Sequence, residues 1–382
     1  MKAMNLQSKL PNIGTTIFTV MSALAAEHQA VNLGQGFPDF DCDPALLDAV
    51  NDAMRAGLNQ YPPMAGVPAL REQVASKIHS LYGAHYDPGS EITITAGATQ
   101  AILTAILCAV HPGDEVIVIE PAYDSYLPSI ALAGAKAVLV PMTPSFRIDW
   151  LAVAAAVTPR TRAIMVNSPH NPSGMVMDRQ DLEQLAGVAV ANDLIVISDE
   201  VYEHMVFDGV AHESVCRYPQ LAERSFVISS FGKTFHVTGW KVAYCAAPAA
   251  LSAEFRKVHQ FNVFTVNTPM QHALARYMRN PEPYLQLPSF YQAKRDRFRK
   301  GLAASRFELL DAPGTYFQCV RYDKISELPE AEFAQWLTKN AGVAAIPLSA
   351  FYEDGRDQGV VRFCFAKQDA TLDRALERLG QL

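Results

Sequence analysis

Two cysteines at CxxC spacing, or a histidine cluster at metal-ligand spacing, would point to a zinc or redox site, and neither occurs in this chain. The six cysteines, Cys42, Cys108, Cys216, Cys245, Cys319 and Cys364, are scattered, and they read as small hydrophobes kept reduced in a cytosol. Charge is scarce as well: 19% of residues are charged and the formal net charge is -7, which excludes the basic stripe of a nucleic-acid binder. The start, MKAMNLQSKLPNIG, lacks the apolar stretch of a secretory signal. The longest apolar runs, such as Ala101 to Val110, are too short to span a bilayer. No repeat or low-complexity segment is visible. The expectation is a cytoplasmic protein that works on small molecules, with no nucleic-acid or membrane partner and no metal.

What is present is enough apolar material for a large core. With 382 residues, 49% of them hydrophobic, the chain predicts two unequal domains without an independent linker between them. From about Glu91 onward, short β-branched runs alternate with helical patterns, as in an α/β fold whose mixed, mostly parallel sheet is covered by helices. The strand candidates are EITIT, EVIVIE, AKAVLVP, RAIMVNSP, LIVISDE, RSFVISS and VAYCAAP, several of them continuous apolar runs suited to burial on both faces. After the helical stretch around Pro281 to Lys300, the pattern turns to ELLDAPGTYFQCVRYD, a helix near Glu330 to Asn340, VAAIPLS and VVRFCFA. That mixture predicts a smaller α+β domain over 286–382, a large domain over 42–285, and a segment 1–41 that folds back to join the small domain.

In an open α/β sheet the loops after the strands form the ligand wall, so AGATQ, EPAYDSY, NSPHNPSG, SDEVY and SSFGK can be read together. Gly97-Ala98-Thr99 is a small-residue turn opening a helix; it suits a phosphate, or merely starts the helix. In NSPHNPSG, Ser168-Pro169 and Asn171-Pro172 are two X-Pro bonds, either of which can be cis, or the octet is an ordinary turn. Asp199 ends an apolar strand, where it either caps the next helix or faces a heterocycle nitrogen and keeps it protonated. Lys233 stands directly after a strand-like run and a glycine, among Ser230, Thr234 and Lys241. It is either a surface lysine or an amine that can form a Schiff base with an aldehyde cofactor, its pKa lowered by a second cation.

Taken jointly, the phosphate turn, Asn171, Asp199 with Tyr202, and Ser230 with Lys233 stand in the order used by fold type I pyridoxal phosphate enzymes. The sequence resembles the class I aminotransferases over nearly its whole length. NLGQGFPDF, NQYPPMAG, TAGATQA, PAYDSY, NSPHNPSG, SDEVYEHMVFDG, SSFGKTFHVTGWKV and CFAK are similar to the kynurenine aminotransferase branch, and within it to the bacterial methionine aminotransferases.

The resemblance implies pyridoxal 5'-phosphate as cofactor and assigns roles. Lys233 carries the cofactor and moves the proton, Asp199 pairs with the pyridine nitrogen, and Tyr202 with Asn171 bonds the phenolic oxygen. Ala98, Thr99, Ser230 and Lys241 hold the phosphate. Tyr123 stacks on the ring, or is a core aromatic beside Tyr126. Tyr61 reaches the cofactor phosphate of a neighbouring subunit, or is a turn residue before Pro62; the former implies a homodimer with composite sites. Arg362 binds the substrate α-carboxylate, and the Gly34 backbone and Phe18 cover the substrate next to Tyr61, Tyr123 and Asn171. Phe18 replaces a tryptophan of the kynurenine enzymes, and Thr265 stands where some carry a histidine. Both departures weigh against kynurenine, and the apolar, aromatic pocket around Phe18, Tyr61, Tyr123 and Thr265, with no second arginine in view, favours methionine, then aromatic residues, leucine or glutamine, as amino donors to a 2-oxo acid in a ping-pong reaction. A kynurenine or glutamine aminotransferase and a cysteine-conjugate β-lyase are the alternatives on this scaffold. A cofactor-sensing regulator would need a DNA-binding module for which no room precedes Asn32.

Overall fold

The computed structural model describes residues 6–382. After an N-terminal helix, Ile17–Glu27, the short strand β1 (Val31–Asn32) precedes the main sheet. That sheet contains β2 (Ile92–Thr95), β3 (Glu115–Glu120), β4 (Lys136–Pro141), β5 (Thr161–Asn167), β6 (Ile195–Asp199), β7 (Ser225–Ser230) and β8 (Ala243–Ala246). Their order across the sheet is β2-β8-β7-β6-β5-β3-β4. The pairs β3-β4, β3-β5, β5-β6 and β6-β7 are parallel, while β8 runs antiparallel to both β2 and β7.

Every residue of β2, β3, β6 and β8 is buried, as the continuous apolar runs require of strands covered on both faces. β4 lies at the sheet edge, starts on the exposed Lys136 and ends on the exposed Pro141, residue types that discourage another chain from pairing there. Helices Ala98–Ala109 and Ala249–Asn262 cover one face; the two core clusters divided by the sheet hold residues of alternate parity, such as Ile117 and Ile119 against Val116 and Val118.

The C-terminal third forms a four-stranded sheet ordered β12-β13-β10-β9, from β9 (Glu308–Leu309), β10 (Phe317–Arg321), β12 (Ile346–Pro347) and β13 (Val360–Cys364). Between β10 and β12 in the chain, β11 (Val343–Ala344) pairs in parallel with β1 as a separate two-stranded sheet. The helix expected near Glu330 to Asn340 is α-helical over Glu330–Trp336 and widens to a π-helical turn over Leu337–Ala341 before Gly342 ends it at φ +68°. Among the described residues no helix is long and apolar enough to cross a membrane.

Candidate active site

The loops leaving the ends of the main-sheet strands, together with residues 35–37, Phe317 and Arg362, enclose a cavity of about 320 Å³. At its centre is Lys233. β7 ends at Ser230, whose Oγ accepts from the Gly232 amide (3.2 Å) and caps the single helical turn Phe231–Thr234 that carries the lysine inward. Lys233 Nζ donates to the Gly36 carbonyl (2.8 Å) and the Tyr316 hydroxyl (2.7 Å), and it lies 5.4 Å and 5.3 Å from the ring centroids of Tyr202 and Tyr316. Burial lowers its pKa to about 8, with the Arg362 and Lys241 cations pushing the same way and Asp199 opposing. A surface lysine would have neither neutral partners nor that shift.

Asp199 closes β6 and is buried. Its Oδ2 accepts from the Tyr126 hydroxyl (2.7 Å) and its Oδ1 from the Val201 amide (3.3 Å). Burial raises the carboxyl to about 6, against the pull of those donors and of Lys233. The helix it could have capped does not exist, because residues 201–204 form a turn. Tyr202, on that turn, packs edge-on against Tyr316 and Phe317 at 5.2 Å and 5.9 Å, and burial pushes its phenol well above the ordinary value.

Both X-Pro bonds of NSPHNPSG are cis, as is Glu120-Pro121. Within the octet and beside it, the Asn171 amide donates to Asn167 Oδ1 (2.8 Å), Asn167 Nδ2 donates to the Asp199 carbonyl (2.8 Å), and Asn171 Oδ1 accepts from Arg362 Nη1 (2.5 Å).

Arg362, in the middle of β13, is 1% exposed. Its Nη2 donates to the Gly34 carbonyl (3.2 Å), and the guanidinium stacks 3.8 Å from the Phe317 centroid, with Phe351 and Phe18 at 5.0 Å and 5.4 Å. Its Nε is buried without a partner. Among the described residues no carboxylate comes within 4.0 Å of it. A desolvated cation with a free donor in a cleft is costly unless an anion completes it.

At the far end, Gly97 adopts φ +85° and ψ 162°, a conformation open mainly to glycine, at the head of helix Ala98–Ala109. A Cβ there would lie 3.1 Å from Lys241 Cε and Nζ, so the lysine crosses directly over the turn. Ala98, Thr99, Ser230 and Lys241 all border the cavity here. Amides at a helix start, hydroxyls and an ammonium make a site for a phosphate dianion. Tyr123 lines the cavity, 5.8 Å edge-on from Tyr126, and burial pushes its phenol up to about 12. It both packs on the neighbouring aromatic and presents a face to the cleft.

Some anticipated residues stand apart. Tyr61 is 82% exposed, edge-on to Phe264 at 5.3 Å, and outside the cavity. Thr265 is also outside and donates to the Pro63 carbonyl (3.2 Å). Gly34 serves Arg362 through its carbonyl without lining the cleft, whereas Phe18 borders it. Gly36, Tyr126, Asn167, Tyr316 and Phe317 were not anticipated, although Tyr316 and Phe317 lie in PGTYFQ beside a strand candidate. Among the described residues no group of three or more metal-ligating side chains occurs.

This geometry has close counterparts. Residues 28–379 match the sequence profile of the family described as Aminotransferase class I and II. A methionine aminotransferase of Escherichia coli is 53% identical over 380 residues, 98% of both chains. A probable N-succinyldiaminopimelate aminotransferase of Mycobacterium tuberculosis is 44% identical, also over 98% of both chains, and human kynurenine–oxoglutarate transaminase 1 is 36% identical over 93% of each. The crystal structure of YbdL from Escherichia coli, identified as having a methionine aminotransferase function, superposes with a TM-score of 0.98 at 52% identity, covering 99% of this chain and all of the other. With a family match over nearly its whole length and full-length relatives above 30% identity, the chain belongs to the class I and II aminotransferases, on the fold type I scaffold.

Proposed function

We propose that this aminotransferase uses pyridoxal 5'-phosphate to move the amino group of methionine, and less selectively of aromatic and other neutral amino acids, to a 2-oxo acid by a ping-pong mechanism. The observation that carries this reading is Arg362, a buried guanidinium with an unpartnered Nε, facing the same cavity as a lysine whose pKa is depressed to about 8.

The residues present fit the cofactor. The Gly97 turn with Lys241 above it is a cradle that a Cβ would fill, and Asp199 is a buried carboxylate in line with a heterocycle nitrogen's need for a counter-charge. When bound, the cofactor supplies an aldehyde that exchanges amino groups and a ring that withdraws electrons from the carbon losing its proton.

The chain's own groups do the rest. Lys233 Nζ, with its neutral form favoured by burial, is the nucleophile that holds the cofactor. Once displaced by the incoming amine, it is the base that takes the substrate's Cα proton, and it returns a proton as acid. Arg362 Nε and Nη atoms grip the α-carboxylate as a fork, which fixes the Cα–H bond relative to Lys233. Asp199 would keep its charge toward the pyridine nitrogen, and the Tyr202 and Asn171 side chains would donate toward the phenolic oxygen. Ala98, Thr99, Ser230 and Lys241 would hold the phosphate, and Tyr123 would lie against the ring.

Substrate choice follows from counting cations. The cavity is bordered by Lys233, Lys241 and Arg362, and each already has a task. Among the described residues no fourth cation borders the cavity to meet a distal carboxylate, whereas Phe18, Phe37 and Tyr123 suit a thioether or aromatic side chain. This favours methionine over N-succinyldiaminopimelate. Kynurenine remains the weaker alternative because the wall carries Phe18 and not tryptophan.

The exposed Tyr61 and Phe264 pair supports a homodimer in which Tyr61 completes the partner's site, since a large aromatic outside its own cavity is otherwise left in water. The same reading divides the chain into a segment 1–41, a cofactor domain 42–285 and a small domain 286–382, in a cytoplasmic enzyme.

The test is the visible spectrum of the protein loaded with cofactor, before and after methionine is added alone. Loss of the visible band without an acceptor, and its absence in Lys233→Ala, supports transamination. A band unchanged by methionine rejects the donor, and pyruvate with ammonia from a cysteine conjugate would establish the β-lyase.

A further inference from the structure

The turn bearing Asp199 and Tyr202 has a second face. Asp199 and Tyr202 look into the cavity, while Glu200 and Glu203 point away into protein. Residues 201–204 belong to no helix or strand, so the backbone alone does not fix where Tyr202 sits.

Glu203 is the most heavily engaged carboxylate there, with its side chain 1% exposed. Its Oε1 receives Lys77 Nζ (2.5 Å), Tyr244 hydroxyl (3.1 Å) and the Ser229 hydroxyl, and its Oε2 receives the Tyr82 hydroxyl (2.5 Å). These donors come from helix Pro68–Tyr82, β7 and β8. His204 Nε2 stands 3.3 Å from Lys77 Nζ and 3.8 Å from Glu203 Oε1. Behind the same turn, Glu200 receives the Ser198 hydroxyl (2.9 Å) and the Val215 amide (3.1 Å) and meets His212 Nε2 (2.9 Å). Burial alone would raise the Glu203 carboxyl, but the Lys77 ammonium and the hydrogen bonds outweigh it and hold it well below the usual carboxylate range.

A buried ion pair is a poor way to gain stability, since an apolar pair of the same volume does as well or better. The location of this one has a different use. Ser229 is the residue before Ser230, four before Lys233, and Glu203 is the residue after Tyr202. One carboxylate therefore bonds both segments that present the proposed catalytic groups.

We propose that Glu203, paired with Lys77, is a positioning residue that clamps the Asp199–Tyr202 turn to the Ser229–Lys233 strand end and so sets the Tyr202 hydroxyl relative to the Lys233 amine. The inference rests on the roles given above to Tyr202 and Lys233.

The test compares cofactor-loaded wild type with Ser229→Ala, Glu203→Gln and the double variant Lys77→Met/Glu203→Gln, which leaves no buried charge unpaired. Three quantities are read: the pH midpoint of the visible band, kcat and KM for methionine, and Tm. A phenol that donates a hydrogen bond lowers the proton affinity of its acceptor, so a displaced Tyr202 moves the midpoint upward, by about half a unit or more. The expected result is that shift, with kcat down roughly tenfold and KM within about twofold, in the double variant even where its Tm matches wild type, and a smaller change of the same sign in Ser229→Ala. Wild-type midpoint and kcat in the folded double variant and in Ser229→Ala, with or without a change in Tm, would overturn the clamp. Lys233→Ala separates the two readings: a visible band that persists there overturns the site assignment itself, whereas its loss beside unaltered clamp variants overturns the clamp alone.

Discussion

Replacing Arg362 by lysine keeps the buried positive charge and removes the fork. The wild-type guanidinium spends one Nη1 hydrogen on Asn171 and one Nη2 hydrogen on the Gly34 carbonyl, and it rests on the Phe317 ring; Nε and a second Nη hydrogen are left as a fork for a ligand. A lysine ammonium presents a point charge on a flexible stem and cannot satisfy Asn171, Gly34 and a carboxylate in one plane. The loss is one charge-assisted hydrogen bond to the substrate, about 1.5–3 kcal/mol. That corresponds to a fall in kcat/KM for methionine of roughly 10- to 150-fold, carried mainly by KM. The control is 3-methylthiopropylamine, which has the side chain of methionine and no carboxylate. Half-reaction rates with this amine should be the same within about twofold for wild type and Arg362→Lys, since the lost contact does not exist there. A variant that discriminates against the amine as strongly as against methionine, or that handles methionine normally, would refute the assignment of Arg362 to the α-carboxylate.

Asp199→Asn retains a partner for the Tyr126 hydroxyl but removes the negative charge; kcat should fall on the order of a hundredfold or more while the protein still binds cofactor, as read by single-turnover kinetics and dialysis. Gly97→Ala places a Cβ in a glycine-only conformation against Lys241, costing on the order of 1–3 kcal/mol in Tm-derived stability, and it should weaken cofactor affinity more than kcat at saturating cofactor. The Lys233 pKa, lowered from 10.5 to about 8 in the fold, makes a signed prediction. The folded state binds the proton less well than the unfolded chain, so the penalty is complete below about pH 8 and is relieved as pH rises toward 10.5. Cofactor-free Lys233→Met should therefore melt higher than wild type at neutral pH, with the gap closing at alkaline pH. Trapping of the cofactor-free protein by pyridoxal phosphate and borohydride should likewise accelerate up to about pH 8 and then level off.

The parts of the site that local sequence reveals are those delivered by strand ends. β6 and β7 are buried, largely apolar runs without a charge before their ends, so Asp199 announces itself as the last residue of its strand and Lys233 as the first charge after its own. Arg362 stands out for the same reason within VVRFC. Tyr316 and Phe317 do not, because aromatic residues at the start of a strand are ordinary core material; Phe317 meets Arg362 through the pairing of β10 with β13, and Tyr316 meets Lys233 through the approach of that sheet to the main one. The ambiguity at Asp199 is local also, since a carboxylate at a strand's end caps a helix unless the chain turns away, and the turn that follows is held by Glu200 and Glu203 to residues distant in sequence. Tyr61 is legible as a motif, yet its surroundings within one chain leave it exposed, so no contact among the described residues gives it a task.

The pairing of β2 with β8 also governs the order in which the protein can be made. The Gly97 turn leaves the ribosome long before Lys241, and β2 has no sheet neighbour until residues 243–246 exist, because β8 alone borders it. β1 waits longer still, for β11 at 343–344. Contacts so distant along the chain make folding slow and expose apolar strands in the interim. A nascent chain stalled before Lys233 would carry the Gly97 turn without the Lys241 ammonium and Asp199 without Lys233, so the cofactor proposed above would be captured only by chains that extend beyond both lysines, and would stabilise those and not the earlier precursors.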